Sequence, residues 1–172
     1  MMKKIVIFMV AAMLSVAATA QPKAIGGRLG FGAQLSYLHT VGKNFIETDL
    51  GYNYAMGHNI SARYMFVIKQ PKWTEQGNWE FYAGPGLFIG TDWPFYSGHG
   101  ISVADFPRTP FMFGITGQIG LAYTFKFPLQ LSVDLRPTLN LGVNESKVAP
   151  TLRGLFGFIP TIGVRYCFNK KN

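Results

Sequence analysis

The stretch Leu129-Gln130-Leu131-Ser132-Val133-Asp134-Leu135-Arg136-Pro137-Thr138-Leu139-Asn140-Leu141 decides the fold class. Leu129, Leu131, Val133, Leu135, Pro137, Leu139 and Leu141 are apolar, and every residue between them is polar or charged. A two-residue rhythm belongs to a β-strand with one oily and one water-loving face. A helix would scatter Asp134 and Arg136 among the leucines, so the helical reading fails.

Working outward, the same rhythm recurs. Phe111, Phe113, Ile115, Ile119, Leu121, Tyr123 and Phe125 alternate with Gly114, Thr116, Gln118, Gly120, Ala122 and Thr124. Residues 59–69 carry Ile60, Ala62, Tyr64, Phe66 and Ile68 on one face, and 156–168 carry Phe156, Phe158, Ile162, Val164, Tyr166 and Phe168. Less regular strands are expected over 25–39, 44–55 and 79–91, separated by Val41-Gly42-Lys43-Asn44, Ala55-Met56-Gly57-His58, Gln70 to Asn78 and Lys126-Phe127-Pro128. The longer runs suit a tilted bilayer crossing better than a soluble sandwich strand. Seven strands leave an odd number, whereas single-chain bacterial barrels have an even one. Phe95 to Ala104 is the best candidate for the eighth. With it, the turns at 55–58, 92–94 and 126–128 fall at the periplasmic end, and the connections 70–78 and 142–153 fall outside.

Composition points the same way. Only 14% of residues are charged, while 15% are aromatic and 20 are glycine. A water-soluble domain carries about a quarter charged residues. The longest charge-free stretch, Thr109 to Phe125, is broken by Gly114, Gly117 and Gly120, so it is a poor membrane helix. A chain too apolar for water and too interrupted for a helix can still cross a bilayer as a closed barrel, in which every backbone group pairs with a neighbouring strand. The expected fold is all-β: a closed antiparallel transmembrane β-barrel of about eight strands, spanning residues 21–168, with a polar tail at 169–172.

The first twenty residues have the form of a cleaved secretory signal. Lys3 and Lys4 precede an apolar run from Ile5 to Val16, and Ala18-Thr19-Ala20 supplies small residues before Gln21. The expected location is therefore the bacterial cell outer membrane, with lipid, lipopolysaccharide and the barrel-assembly machinery as partners. Lysine and arginine number 16 against 8 acidic residues, but they are dispersed, which disfavours nucleic acid. Cys167 is the sole cysteine, so no disulfide or thiolate metal cluster forms within the chain.

Alternation also sorts the functional candidates. The inward face would carry Arg28, Glu47, Asp49, Arg63, Glu80, Asp134, Arg136 and Arg165, balanced in sign. An eight-stranded barrel is just wide enough for side chains to fill. These eight are expected to pair as a plug, because an isolated buried charge is costly. Aromatic girdles are expected at both rims: Tyr52, Tyr54, Trp93, Tyr123, Phe125, Tyr166 and Phe168 on the periplasmic side, and Tyr37, Phe45, Trp79, Phe81, Phe111 and Phe156 on the outer side. Lys43, Lys72, Arg108, Lys147 and Arg153 are candidates for lipopolysaccharide phosphates, or ordinary loop charges offset by Glu75, Asp105 and Glu145.

Chemistry is sparse. His39, His58 and His99 are scattered, and Ser97-Gly98-His99-Gly100, with Ser102, is the one place where hydroxyl and imidazole come close. No phosphate loop or metal-ligand spacing is present, and no cofactor or catalytic residue is expected. The segment Thr161-Ile162-Gly163-Val164-Arg165-Tyr166-Cys167-Phe168 looks like the recognition signal of a last barrel strand, with Gly163, Tyr166 and Phe168 as its marks. Asn169-Lys170-Lys171-Asn172 follow the Phe with which such a signal ends. Together with Arg28-Leu29-Gly30, Trp79-Glu80-Phe81-Tyr82-Ala83-Gly84-Pro85-Gly86 and Leu129 to Pro137, the chain resembles small outer-membrane β-barrels of the OmpA-barrel and OmpX-like type, including the PorT-like group. The resemblance implies a passive barrel, an adhesion protein or a secretion-machine part. The residues themselves point to a non-enzymatic plugged barrel serving envelope integrity or surface interaction through 70–78 and 142–153. A narrow transport barrel and a lipid-modifying enzyme are the alternatives.

Overall fold

The computed structural model describes residues 22–54, 56–91, 111–144, 147–151 and 157–168. They form ten strand segments: β1 (Pro22–Gly30), β2 (Gly32–Val41), β3 (Asn44–Asn53), β4 (Gly57–Lys69), β5 (Gly77–Thr91), β6 (Phe111–Phe125), β7 (Leu129–Leu135), β8 (Thr138–Asn144), β9 (Lys147–Thr151) and β10 (Thr161–Cys167). Each of β1 to β6 pairs antiparallel with the next, β6 pairs with β7, β7 with β10, and β10 with β1. The ring is closed, with eight strands. Closure removes the sheet edges that an open sheet would expose. β8 runs on along β6 beyond a break at Arg136-Pro137, and β9 folds back on β8, so this hairpin prolongs the wall above β7 and β10.

At the break Gly117 N donates to Pro137 O at 2.8 Å, and Arg136 N donates to Gly157 O at 2.6 Å. Proline cannot donate to a ladder, so a segment boundary there satisfies its chemistry. Tight packing across the wall also depends on particular glycines. A Cβ on Gly84 would collide with the carbonyl oxygen of Tyr64, whereas one on the outward Gly27 would meet nothing within 4 Å.

Several expectations are corrected. The stretch 25–39 is two strands, because the chain reverses at Phe31, between Gly30 and Gly32. This turn supplies the eighth strand. Phe95 to Ala104 lies outside the described residues, and the direct pairing of Gly77–Gly90 with Met112–Phe125 leaves no place for a strand between β5 and β6.

The sidedness shifts accordingly. The turns at 42–43, 70–76 and 126–128 lie at the terminal end, where β1 begins and β10 finishes, while the reversal at Phe31, the change from β3 to β4, the end of β5 at Thr91 and the start of β6 at Phe111 lie at the opposite end. The segment 70–78 therefore stands opposite the β8–β9 hairpin, not beside it. The aromatics redistribute too. Tyr37, Trp79 and Phe81 join Tyr123, Phe125, Tyr166 and Phe168 towards the termini, and Tyr52, Tyr54 and Phe111 lie towards the other end. Phe45 points inward and is buried. Trp93 and Phe156 lie outside the described residues.

The burial pattern is inverted relative to a soluble domain. Leu35, Leu50, Ile60, Ile89, Phe113 and Leu141 are successive cross-strand partners around half the ring, and all are exposed. Among the strand residues whose burial is described, outward positions carry no charge until Lys69 at the rim. Inside, the large side chains with less than 2% exposure include Arg28, Arg63, Arg136, Arg165, Gln130 and Glu47.

Candidate functional site

The lumen is filled in three layers. Towards the termini, Ala24, Leu38, Phe45, Met65, Tyr82, Ala122 and Cys167 pack as one apolar cluster, with Phe45 and Tyr82 edge to face at 5.3 Å. Towards the opposite end, Met56, Phe88 and Met112 form a second, smaller cluster. The polar layer lies between them.

Alternation explains why these residues meet. Arg28, Glu47, Asp49, Arg63, Asp134, Arg136 and Arg165 all occupy inward positions, and the register stacks Glu47 beside Arg63 and Asp49 beside Ser61. Glu47 is the hub. Arg28, Arg136 and Arg165 all donate to its Oε1, the last two at 2.6 and 3.0 Å, and Gln118 Nε2 donates to Oε2 at 3.1 Å. Arg28 also pairs with Asp134. Arg136 spreads across three carboxylates, reaching Asp49 Oδ2 at 2.8 Å and Asp134 Oδ1 at 2.9 Å besides Glu47. Arg63 Nη1 donates to Asp49 Oδ2 at 2.6 Å. Charge-assisted bonds of this kind are about twice as strong as neutral ones.

Seven of the eight expected lumen charges thus fall into one buried cluster. Glu80 does not share that depth: it is half-buried at the rim, where Gln70 Nε2 donates to it at 3.1 Å. Its register position faces inward, but alternation reports the face and not the height along the strand.

Several neutral partners were not singled out from sequence. Ser36 and Ser132 Oγ accept from Arg165 at 3.1 and 2.9 Å, Gln34 Oε1 accepts from Arg136 at 3.1 Å, and Tyr82 Oη donates to Asp134 at 3.3 Å. The signal existed, since each stands at an inward position of its own strand.

The other candidates do not converge. His39 stacks on Tyr37 near the termini, and His58 lies against Tyr52 at the other end. Ser97, His99 and Ser102 lie outside the described residues, as do Arg108 and Arg153. Lys43 and Lys72 are exposed at the end that carries the termini. Among the described residues no group of three or more His, Cys, Asp or Glu could hold a metal ion. Of the three assembly-signal residues, Gly163 faces inward and buried, while Tyr166 and Phe168 face outward and exposed.

No protein-family model matches the chain, and neither a curated protein nor a solved structure matches it.

Proposed function

We propose that this chain is a non-enzymatic barrel of the bacterial outer membrane, exported by its first twenty residues and plugged by its own side chains. It serves envelope integrity, and surface interaction through the end away from the termini. One observation carries this reading: charge is gathered inside the ring, and the outward wall is an uncharged belt of leucine, isoleucine, valine and phenylalanine. An exposed apolar surface of that extent is far larger than the few hundred Å² a soluble monomer tolerates. A bilayer turns the cost into stabilisation. Aromatic pairs such as Trp79–Tyr123 at 4.6 Å and Tyr166–Phe168 at 5.3 Å lie towards the terminal rim, as interfacial rings do.

β1 begins and β10 finishes at one end, which in this reading faces the periplasm and the barrel-assembly machinery. The opposite end, where β5–β6 and β8–β9 project, then faces lipopolysaccharide and any surface or secretion partner. Lys43 and Lys72 fall on the periplasmic side and drop out as lipopolysaccharide contacts.

The test is electrophoresis of the outer-membrane fraction. Unheated protein should run as a compact band that shifts on boiling, because a closed barrel resists detergent until heated. Recovery of the processed chain in the soluble periplasmic fraction, with one heat-independent band, would sink the reading.

A further inference from the structure

Four guanidinium groups, those of Arg28, Arg63, Arg136 and Arg165, are buried with three carboxylates, those of Glu47, Asp49 and Asp134. Among the described residues, the sealed layer therefore holds one positive charge in excess. The excess is not evenly shared. Arg28 touches two carboxylates and Arg136 three, and Arg165 has Glu47 with two serines and Gln130. Arg63 has one carboxylate oxygen, Asp49 Oδ2, which it shares with Arg136.

The unshared side of Arg63 is the side that binds anions best. Asp49 occupies Nη1. The paired Nε and Nη2 donors form the side-on fork of the guanidinium, whose geometry suits bidentate anion binding. Among the described residues, Nη2 faces only the Met56 thioether at 3.9 Å, a weak acceptor, and Nε is buried without a partner. Two residues earlier on the same inward face of β4, the Ser61 hydroxyl is likewise buried and unpartnered. Asp49 Oδ1 is also unpartnered, and its repulsion confines an anion to the fork turned away from it.

We propose that the Nε–Nη2 edge of Arg63, with the Ser61 hydroxyl, binds a single small monovalent anion of the halide class. Water could satisfy these donors, but it could not cancel the excess charge, and an uncompensated charge in a low-dielectric interior is costly. The narrow interior of an eight-stranded barrel limits the ligand to a few atoms. The Met56–Phe88–Met112 cluster closes the near end of the seat and slows exchange with solvent.

The experiment uses the full processed protein folded in detergent, titrated with bromide or chloride against gluconate at constant ionic strength. Its thermal midpoint should rise saturably with halide. Bromide-soaked crystals should show anomalous density within hydrogen-bond reach of Arg63 Nε. Arg63→Met equalises the buried charges and leaves Asp49 paired with Arg136, so this variant should fold yet lose its halide response. Ser61→Ala should weaken halide binding about tenfold, the scale of one lost bond to a charged group. A halide-independent wild type overturns the proposal, and is the result expected if Asp92, Asp105 or Glu145 supplies the fourth negative charge. An unchanged response in Arg63→Met overturns it too. If that variant fails to fold, the bromide density decides, and its absence beside Arg63 refutes the site. None of these readouts depends on where the protein resides in the cell.

Discussion

Glu47 accepts from three guanidiniums and a glutamine while fully buried, so its replacement leaves more charge unmatched than any other single change in the lumen. Arg165 loses its sole carboxylate among the described residues, and Arg28 and Arg136 each lose one. Breaking a buried pair from one side costs about 3–5 kcal/mol. Glu47→Gln should fall at the upper end of that range. Asp134→Ala should cost roughly 3 kcal/mol, because Arg28 and Arg136 both keep Glu47. Urea unfolding in lipid vesicles, followed by tryptophan fluorescence, measures both. In a cycle with Arg136→Met, the Asp134 and Arg136 losses should be clearly less than additive, since they share a bond of 2.9 Å. Equal, additive losses would mean a wet lumen with weakly coupled charges. Sequence alternation located seven of these charges because a strand's two faces are fixed by parity. It places Glu80 on the same inward face, but at the rim rather than in the buried layer, because parity carries no information about height.

At the scale of the strand, the decisive contrast is between two outward positions at different depths. Leu35 lies mid-belt, flanked in register by Gly27 and Leu50, whereas Tyr166 lies near the terminal rim beside Phe168. If the wall faces lipid, Leu35→Arg should cost about 2–4 kcal/mol and Tyr166→Arg about 0–1 kcal/mol. Equal costs in vesicle unfolding would argue against a bilayer around the barrel. The alternation of β6 and β7 is legible because nothing shifts their register, and that of β4 is legible up to the irregularity between Val67 and Lys69. The β1–β2 hairpin is not, for a geometric reason. Gly30 and Gly32 face each other across a turn closed by Phe31, so residues either side of it keep the same parity. Arg28, Gly30, Gly32 and Gln34 read as one inward row although the chain has reversed. With that turn hidden, 25–39 counts as one strand, the missing strand is sought at 95–104, and the turns at 55–58 and 70–78 are each assigned to the wrong end. The candidate loops at 70–78 and 142–153 are then grouped on one side, although they flank opposite openings.

Across the whole molecule, the three layers of the lumen bear on whether anything passes through it. An ion entering from the terminal end passes the rim carboxylate of Glu80 and then meets Leu38, Phe45 and Met65 before the buried charges, and from the other end it meets Met56, Phe88 and Met112. Apolar constrictions oppose hydration, and apart from the Arg63 fork and Asp49 Oδ1 the arginines and acids between them are bonded to one another rather than offered to a permeant ion. An interior bounded by eight strands leaves little room for a file of water alongside those side chains. The protein in planar bilayers should therefore show no stable conductance steps. Replacing one ionic partner should not open a path, because the apolar layers at both ends remain. Asp134→Ala should thus lose stability while staying electrically silent. Stable unitary currents carried by the wild type, altered in size or selectivity by Asp134→Ala or Arg136→Met, would show that the layers part in the membrane and that the lumen is a route rather than a plug.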